Sequence, residues 1–503
     1  MTTMRGFTMD RNKILDRIRN RTEPWDIVVI GGGATGVGCA VDAASRGYDV
    51  LLLEQHDFGK GTSSRSTKLV HGGVRYLAQG NISLVREALK ERGILLQNAP
   101  HVVHKQSFIV PCYSLWEKIF YRTGLKVYDL LSGKYSFGRS RILSADKAFE
   151  LLPTVAKKGL AGGVLYYDGQ FDDARLLIDL VATGIKSGAT FLNYAKVRSL
   201  TKTADFTVNG VEFEDTETGE GLSAPAKVVI NATGVFCDSV RGMSDPRSKP
   251  IVTLSQGIHL VFDKKFLPSD HAIMIPKTSD GRVLFCIPWH GYTLVGTTDT
   301  PIRNANLEPH VLESEIDFVL DTAGEYLTEK PTRDDILSKF VGIRPLVRSD
   351  AAANTSALSR GHTIEIDKAG LLTITGGKWT TYRHMAEDAV DQAARLAGLE
   401  NRPSVTRELS ISAPETTDDT ELLHPDLSYF VGEVLRGVRT EMARTVEDVL
   451  ARRTRALFLN AKTAIEISPK VARIIAGELG KDEVWISDQV AEFKKVAGNY
   501  LSG

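Results

Sequence analysis

The sequence of 503 residues predicts a mixed α/β (α+β) fold. A β-branched run, Ile27 to Ile30, is followed by closely spaced glycines and then by a helix-forming stretch, which is the order found in parallel sheets. Strand-like runs ending near Asn231 and Gly376 close again on glycine turns far downstream. The composition, 42% apolar and 25% charged residues, is that of an ordinary globular protein.

The first glycine cluster has the spacing G-x-G-x-x-G between a buried strand and a helix of about Ala34 to Arg46. Its glycines permit a tight turn, close backbone approach to a pyrophosphate and close packing of the helix. A second strand, Val50 to Leu53, ends at Glu54, where a carboxylate can accept hydrogen bonds from a ribose. The order of these elements predicts a Rossmann-type dinucleotide site rather than a glycine-rich core turn. The residues of this turn assigned to the cofactor are Gly31, Gly32, Gly33, Thr35 and Gly36.

Charge, cysteine content and hydropathy exclude several classes of protein. Lys+Arg and Asp+Glu balance at 62 each, so global charge gives no argument for nucleic-acid binding. The four cysteines are far apart in the sequence, which suggests neither a disulfide framework nor a zinc site and favours a reducing cytoplasm. We expect no signal peptide and no transmembrane helix, because the N-terminus is polar and no long apolar run occurs.

Along the chain, strand and helix patterns alternate and then give way to helices. Residues 1–24 predict a surface helix or tail, and 107–170 mix short strands with a basic amphipathic stretch. Beyond about Thr416 no strand pattern is evident, and helical patterns dominate. Helices are predicted at Ile82 to Asn98, Asp172 to Ser187, within 301–327, and at Thr380 to Ala397, Arg439 to Asn460 and Ile486 to Tyr500; strands at 189–199, 205–214, 225–230 and within 251–300.

Two later motifs favour FAD over NAD. Asn231-Ala-Thr-Gly234 follows a buried strand and brings backbone close to the same dinucleotide. Gly376-Gly-Lys-Trp-Thr-Thr-Tyr382 places glycines at a strand end with a helix behind them, and a helix N-terminus there would stabilise negative charge on a reduced flavin. An extended FAD needs contacts spread through the chain in this way.

Together these motifs resemble the FAD-dependent, quinone-linked glycerol-3-phosphate dehydrogenases. The matching segments are Ile30-Gly-Gly-Gly-Ala-Thr-Gly36, Thr62-Ser-Ser64, Lys68-Leu-Val-His-Gly-Gly-Val-Arg-Tyr-Leu77, Asp172-Asp-Ala-Arg175, Val295-Gly-Thr-Thr-Asp299 and Gly342-Ile-Arg-Pro-Leu346, with the two motifs above. The resemblance covers about residues 24–400 closely and the helical tail more loosely.

The resemblance implies an architecture of three parts. They are a discontinuous glutathione-reductase-like FAD domain over 25–400, an antiparallel-sheet substrate or cap region inserted near 101–170 and 251–345, and a C-terminal helical domain over 403–503. It also implies oxidation of sn-glycerol 3-phosphate to dihydroxyacetone phosphate, with hydride passing from C2 to N5 of FAD and electrons passing on to quinone.

Such a reaction needs a clamp for the phosphate dianion and an acceptor for the 2-hydroxyl proton. Arginine suits the clamp because its planar fork matches phosphate oxygens. The residues assigned to the substrate are Arg75, Tyr76, Arg344, Arg360 and Lys378. The residues assigned to catalysis are His259, as a candidate base, together with Lys378 and Arg344. The remaining residues assigned to FAD are Glu54, Thr62, Ser63, Ser66, Lys68, His71, Gly72, Ala232, Gly234, Gly376, Gly377 and Thr380.

The stretch Leu115 to Leu131 has the pattern of a helix lying on an anionic membrane. A surface helix packed on its own domain gives the same pattern, and the family resemblance decides for the membrane. We therefore expect peripheral binding to the inner face of the cytoplasmic membrane. The apolar stripe comprises Trp116, Ile119, Phe120, Val127 and Leu131, and the basic residues are Lys118, Arg122, Lys126, Lys134, Arg139 and Arg141.

Other activities remain open at the level of sequence. A glycerophosphate oxidase would pass electrons to oxygen with the same motifs, and an amine or amino-acid oxidase of this flavoprotein superfamily would need a single carboxylate-binding arginine. A non-catalytic FAD redox sensor would not need Arg75, Arg344 and Lys378. No segment fits an EF-hand loop, so no metal is expected. The oligomeric state is undetermined, and a homodimer is one candidate.

Overall fold

The computed structural model describes residues 9–78, 80–276, 278, 281–348 and 361–502, and only the backbone of Arg75 and Ala78. Most strands belong to two large sheets. The strands are β1 Trp25–Ile30, β2 Val50–Leu53, β3 Leu69–Val70, β4 Val103–Cys112, β5 Arg141–Leu143, β6 Gly162–Phe171, β7 Thr190–Leu192, β8 Ala195–Lys202, β9 Val208–Asp215, β10 Glu220–Asn231, β11 Val252–Asp263, β12 Ala272–Ile275, β13 Leu284–Trp289, β14 Tyr292–Gly296, β15 Thr300–Ile302, β16 Ser338–Val347, β17 His362–Ile366, β18 Leu372–Gly376, β19 Leu422–His424 and β20 Leu427–Phe430.

Helices cover the sheets and form the C-terminal region. They are α1 Arg11–Arg19, α2 Ala34–Ser45, α3 Val74–Ala78, α4 Ile82–Asn98, α5 Leu115–Ser132, α6 Ala145–Leu151, α7 Asp173–Lys186, α8 Cys237–Ser244, α9 Glu313–Tyr326, α10 Tyr382–Leu396, α11 Val431–Thr440, α12 Ala456–Leu459, α13 Ala461–Leu479 and α14 Glu483–Gly498. Among the described residues, no helix combines the length and the apolar character that a membrane-spanning segment requires.

The first sheet has the order β17-β18-β10-β1-β2-β7, and β8 and β9 extend β10 as an antiparallel meander. Strands β18, β10, β1, β2 and β7 run parallel, so their carboxyl ends share one edge. The β-branched runs predicted as buried strands fill this core, since Ile27, Val28 and Val29 are fully buried. The glycine turns after β1, β10 and β18 therefore lie at this edge, which is where ligands bind in open parallel sheets.

The second sheet has the order β15-β11-β14-β13-β12-β4-β6-β3, with β16 paired to β11 and β5 to β6. Its pairs are antiparallel except for β12 and β4, which are parallel. The long pairing of β11 with β16 runs from Val252 opposite Val347 to Val261 opposite Ser338. This register sets the segment 255–260, which contains His259, beside the segment 342–346, which contains Arg344.

The C-terminal region differs from its predicted form in two places. A short hairpin, β19 and β20, lies beyond Thr416, where strands of three and four residues are too short to show a pattern. The prediction of a single helix over Arg439 to Asn460 is wrong. Helix α11 ends at Thr440, a π-helical turn covers Asp448–Arg453, and α12 follows. The break occurs because the Asp448 carboxylate accepts the backbone N–H groups of Arg444 and Thr445 and so starts a new turn.

The N-terminal helix α1 is held to the first sheet by a buried charge. Arg11 is 8% exposed and donates to Asp215 Oδ1 at 2.5 Å and to the Asn193 side chain at 3.2 Å. Ile14, Leu15 and Ile18 of the same helix are buried in the core below it. The polar N-terminal segment is therefore part of the fold from Arg11 onward.

Candidate active site

The turn after β1 has the backbone geometry that its glycines predict. Gly31 adopts φ 111°, and a Cβ there would lie 2.7 Å from the carbonyl oxygen of Ala232. A Cβ on Gly36 would lie 1.9 Å from the Gly31 oxygen, so helix α2 starts directly against the turn. Gly33 is the N-cap of α2, so the N-terminal end of this helix lies directly after the turn. These features fit a bound pyrophosphate.

Glu54 closes the turn from the end of β2. Its Oε2 accepts the backbone N–H of Gly32 at 2.6 Å, and Oε1 accepts that of His56 at 2.9 Å. Burial raises the pKa of this carboxyl, whereas the two backbone donors lower it. Each oxygen keeps a second lone pair, which is what two ribose hydroxyls require.

The loop after Glu54 supports the helix start. Ser63 Oγ accepts the N–H of Ala34 at 2.9 Å, which leaves its own hydroxyl hydrogen able to donate to a phosphate. Thr62 Oγ1 donates to the Ile343 carbonyl at 2.6 Å and so fixes the loop to β16. Ser66 donates to Asp173 Oδ2 at 2.7 Å. This loop connects the dinucleotide turn to the second sheet.

A cavity of about 1050 Å³ lies between the two sheets, next to the ends of β18 and β11. Ten of the residues that the sequence assigns to FAD, substrate or catalysis line it: Thr62, Ser66, His71, Tyr76, His259, Arg344, Gly376, Gly377, Lys378 and Thr380. The cavity wall also includes Thr123, Gly124 and Val127 of α5. The fold thus brings segments that are far apart in the sequence to one cavity.

Arg344 is held across strand β11 by fixed acceptors. Its Nη2 donates to Thr297 Oγ1 at 3.0 Å and to the Thr298 carbonyl at 3.1 Å, and Asp299 Oδ1 lies 3.5 Å from Nη1. A Cβ on Gly257 would lie 2.4 Å from Nη2, so this position must be glycine for the guanidinium to lie there. The side chain keeps 24% exposure toward the cavity. An oriented, partly exposed guanidinium is suited to a bidentate anion contact.

His259 is buried and its ring stacks on Phe340 at 4.8 Å between centroids. Its Nε2 shares a hydrogen bond of 2.9 Å with Thr67 Oγ1, and within the described part of the chain Nδ1 has no hydrogen-bond partner. Burial, Lys68 and Arg344 together lower the pKa of His259 well below its ordinary value. The ring is therefore neutral near pH 7 and able to accept a proton.

Lys378 lies in the turn after β18, where Gly376 and Gly377 both have positive φ, 80° and 69°. Its ammonium lies 4.0 Å from the centroid of the Tyr76 ring. A Cβ on Gly377 would lie 2.3 Å from the Met385 sulfur, so the turn is pressed onto helix α10. Arg344 and Lys378 give the cavity two cationic side chains from opposite sheets.

Comparisons with known proteins identify the family to which the chain is similar. A family model described as FAD dependent oxidoreductase matches residues 26–383, and one described as the C-terminal domain of alpha-glycerophosphate oxidase matches residues 373–484. The chain is 46% identical over 404 residues to a mitochondrial glycerol-3-phosphate dehydrogenase of Arabidopsis thaliana, covering 78% of this chain and 64% of that protein. It is 38% identical to the mitochondrial enzyme of Rattus norvegicus, covering 92% of this chain and 72% of the other.

Solved structures show the same relationship. The glycerol-3-phosphate dehydrogenase of Bacillus halodurans, complexed with FAD, is 29% identical with a TM-score of 0.78, covering 98% of this chain and 97% of that one. The chain belongs to the FAD-dependent glycerol-3-phosphate dehydrogenase family. A glycerophosphate oxidase of Mycoplasma pneumoniae, at 16% identity and a TM-score of 0.60, shares the fold and covers 78% of this chain and 100% of its own.

Several assigned residues lie elsewhere than expected within this family fold. Lys68, assigned to FAD, does not line the cavity. Its Nζ is fully buried and donates to Asp173 Oδ2 and to the Ser64 carbonyl, both at 2.7 Å. Burial lowers its pKa to about 7, against the effect of the Asp173 carboxylate. Lys68 therefore braces the loop from behind, because Asp173 attracts it away from the cavity.

Ala232 and Gly234 follow β10 beside the glycine turn, where the Ala232 N–H donates to the Ile30 carbonyl at 2.9 Å. Gly234 has φ 58°. Gly72 lies behind the cavity wall rather than on it. Arg75 belongs to helix α3, but its side chain lies outside the described part, and Arg360 lies outside the described residues altogether.

Some side chains that line the cavity have no role assigned to them by the sequence patterns. Arg65 is 5% exposed and donates to Glu308 at 2.7 Å. Thr297 and Asp299 belong to a matching motif, but their part is to hold Arg344, which only the fold reveals. The role of Thr67 follows only from its hydrogen bond to His259. The sequence feature that could have indicated a role for Arg65 is its positive charge within the loop assigned to the cofactor.

Proposed function

We propose that the protein oxidises sn-glycerol 3-phosphate to dihydroxyacetone phosphate and passes the electrons to a membrane quinone. Family membership supports the reaction. The observation that carries it in this chain is one cavity that joins Arg344, Lys378 and neutral His259 to the strand-end turns of the dinucleotide fold. Bound FAD would supply the hydride acceptor for C2 of the substrate.

In this proposal the chain's residues bind and orient the substrate. Arg344 holds two phosphate oxygens through its fixed fork, and Lys378 lies near the 2-oxygen, where its charge favours loss of the hydroxyl proton. His259 accepts that proton. The phosphate dianion would raise the pKa of His259 on binding, because an opposite charge favours the protonated ring. Binding of the substrate thus prepares the base.

An amino-acid oxidase is the less favoured reading of the same cavity. A carboxylate needs one arginine, whereas the lining of this cavity includes Arg344, Lys378 and Arg65. Two cations facing one space suit a dianion better than a zwitterion with its own ammonium group.

The electron acceptor is tested by mixing the purified enzyme anaerobically with sn-glycerol 3-phosphate and then adding either a short-chain quinone or oxygen. We expect bleaching of the flavin by substrate and rapid return of colour with quinone. Rapid return with oxygen and peroxide release would instead identify an oxidase. Bleaching by amino acids alone would identify an oxidase of the other class.

We further propose that α5 lies on the inner face of the cytoplasmic membrane. Its face away from the protein carries large exposed apolar side chains, and its buried face is formed by Leu125, Tyr128 and Ser132. The exposed fractions are 66% for Leu115, 73% for Trp116, 49% for Ile119, 57% for Phe120, 40% for Val127 and 81% for Leu130. Leu131, expected in this stripe, is half-buried against the cluster around Val85 instead, and Leu130 takes its place.

Basic side chains flank this apolar ridge. Arg122 and Lys126 are exposed, whereas Lys118 donates to the Ala161 carbonyl at 2.8 Å and is part of the fold. Phe120 and Val127 belong both to the ridge and to the cavity wall. An apolar acceptor in the bilayer would therefore meet the cavity at this helix. The four free, buried cysteines agree with a reducing compartment.

The membrane proposal is tested by flotation with anionic vesicles. Changing Trp116, Ile119 and Leu130 together to Ser should release the enzyme, because buried apolar area supplies the attachment. Changing Arg122 and Lys126 to Glu should make binding weaker and less dependent on salt. The control changes Leu312, Val405 and Val484, exposed apolar residues elsewhere, to Ser. Flotation of the first variant at the level of this control would contradict the proposal.

A further inference from the structure

The buried face of α5 is connected to the cavity by a tyrosine. Tyr128 is 1% exposed, and its hydroxyl oxygen accepts the backbone N–H of Gly72 at 2.8 Å. The same hydroxyl donates to Asp168 Oδ2 at 2.7 Å. Tyr128 therefore bridges helix α5, strand β6 and the loop between β3 and α3.

Asp168 is itself fixed by a buried cation. Arg92 of helix α4 is 1% exposed and donates to Asp168 Oδ1 at 2.6 Å, while its guanidinium lies 4.0 Å from the Phe137 ring centroid. Burial and the Asp168 carboxylate raise the pKa of Tyr128 well above its ordinary value. The phenol remains a donor to Asp168 and an acceptor for Gly72 at any working pH.

The loop that Tyr128 holds is part of the cavity wall. His71 and Gly73 line the cavity on either side of Gly72, and the His71 N–H donates to Thr380 Oγ1 at 3.2 Å. A Cβ on Gly72 would lie 2.5 Å from the Tyr128 hydroxyl oxygen, so the backbone is pressed against the ring. A Cβ on Gly73 would lie 3.5 Å from Lys378 Nζ. A shift of this loop would therefore change the surroundings of Lys378.

We propose that Tyr128 is a positioning residue for the reaction. Its hydroxyl, clamped by Asp168 and Arg92, fixes the backbone of residues 71–73 at the cavity wall and thereby sets the distance of this wall from the flavin and from Lys378. The inference rests on the proposed reaction but uses only the buried face of α5, so it is independent of the membrane proposal.

The test compares Tyr128→Phe with Tyr194→Phe in the FAD-loaded enzyme. Tyr194 is a matched control, because its hydroxyl also donates to a buried carboxylate, Asp448, at 2.8 Å and does not line the cavity. The phenylalanine at 128 removes the shorter of the two hydrogen bonds of the Gly72 N–H and leaves only the bond to Asp168 Oδ1, at 3.4 Å. We expect kcat with a soluble dye acceptor to fall about tenfold, KM to change less than about threefold, and the visible circular dichroism of bound FAD to change.

Parent-like kcat and visible dichroism in Tyr128→Phe, or equal losses in the Tyr194→Phe control, would overturn the assignment. If Tyr128→Phe does not retain FAD, Asp168→Asn provides the second variant. It should change the dichroism in the same direction with at least as large a loss of kcat, because it also leaves the buried Arg92 without its carboxylate. A parent enzyme that sn-glycerol 3-phosphate does not reduce would contradict the proposed function. The dichroism comparison would still decide on Tyr128.

Discussion

At the scale of single residues, the surroundings of His259 set its protonation. Burial and two nearby cations, Lys68 and Arg344, hold the pKa of this ring well below 6.5. A lowered pKa means that the ring gains its proton only at more acidic pH than a free histidine. In the free enzyme the base is therefore ready throughout the neutral range.

This predicts the acid side of the pH profile. Between about pH 8 and pH 6.5, kcat/KM should stay nearly level, and any loss due to His259 should begin only below that range. A second loss, near about pH 6, belongs to the substrate phosphate and should remain in His259→Gln. The measurement is kcat/KM across this range for both enzymes. A limb near pH 6.5 that disappears in the variant would show that His259 has the ordinary pKa of a histidine.

At the scale of elements, the turn between β1 and α2 depends on the absence of side chains. Gly36→Ala would place a methyl group 1.9 Å from the Gly31 oxygen and force α2 away from the strand. We expect this variant to purify with little or no FAD. Gly242→Ala is the control, because this glycine is also helical and nothing lies within 4 Å of a Cβ there. The flavin-to-protein absorbance ratio measures both, and a fully loaded Gly36→Ala would contradict the geometry.

Local patterns predicted this half of the fold well. Strand β2 and helix α4 have the predicted bounds, Val50–Leu53 and Ile82–Asn98. The strand is one continuous apolar run, and the helix has apolar residues at helical spacing and begins after the N-cap Asn81. The inward turn of Lys68 could not be predicted, since it follows from Asp173, 105 positions away. The proximity of His259 to Arg344 likewise depends on the register of β11 and β16, which cannot be predicted from local sequence patterns.

At the scale of the whole molecule, buried charges join the C-terminal helices to the dinucleotide region. Asp57, fully buried after β2, accepts Arg452 Nε at 2.5 Å and both terminal nitrogens of Arg453, at 2.6 and 2.9 Å. Asp173 likewise lies 3.3 Å from Arg455, which also donates to the Ser64 carbonyl at 2.7 Å. The C-terminal helices thus brace the cofactor loop.

We predict that Asp57→Asn destabilises the protein by about 3–5 kcal/mol, since it leaves two buried guanidinium groups without their shared anion. Urea unfolding followed by tryptophan fluorescence measures this. The control, Glu478→Gln, removes the carboxylate of an exposed pair with Arg439 and should change stability little. Equal midpoints for Asp57→Asn and the parent would show that the buried cluster does not hold the two regions together.

The central claim is that the cavity oxidises sn-glycerol 3-phosphate held by Arg344. The most direct measurement is rapid anaerobic mixing of the FAD-loaded enzyme with this substrate, for the parent, Arg344→Ala and Arg348→Ala, with flavin absorbance as the readout. Arg348 is the control, because it is exposed just beyond the same strand. We predict that Arg344→Ala keeps its FAD and loses about a hundredfold in the second-order rate of flavin reduction, a cost of about 2–4 kcal/mol, whereas the parent and Arg348→Ala bleach alike. Flavin reduction in Arg344→Ala at the parent's rate, or a parent that does not bleach, would contradict the claim.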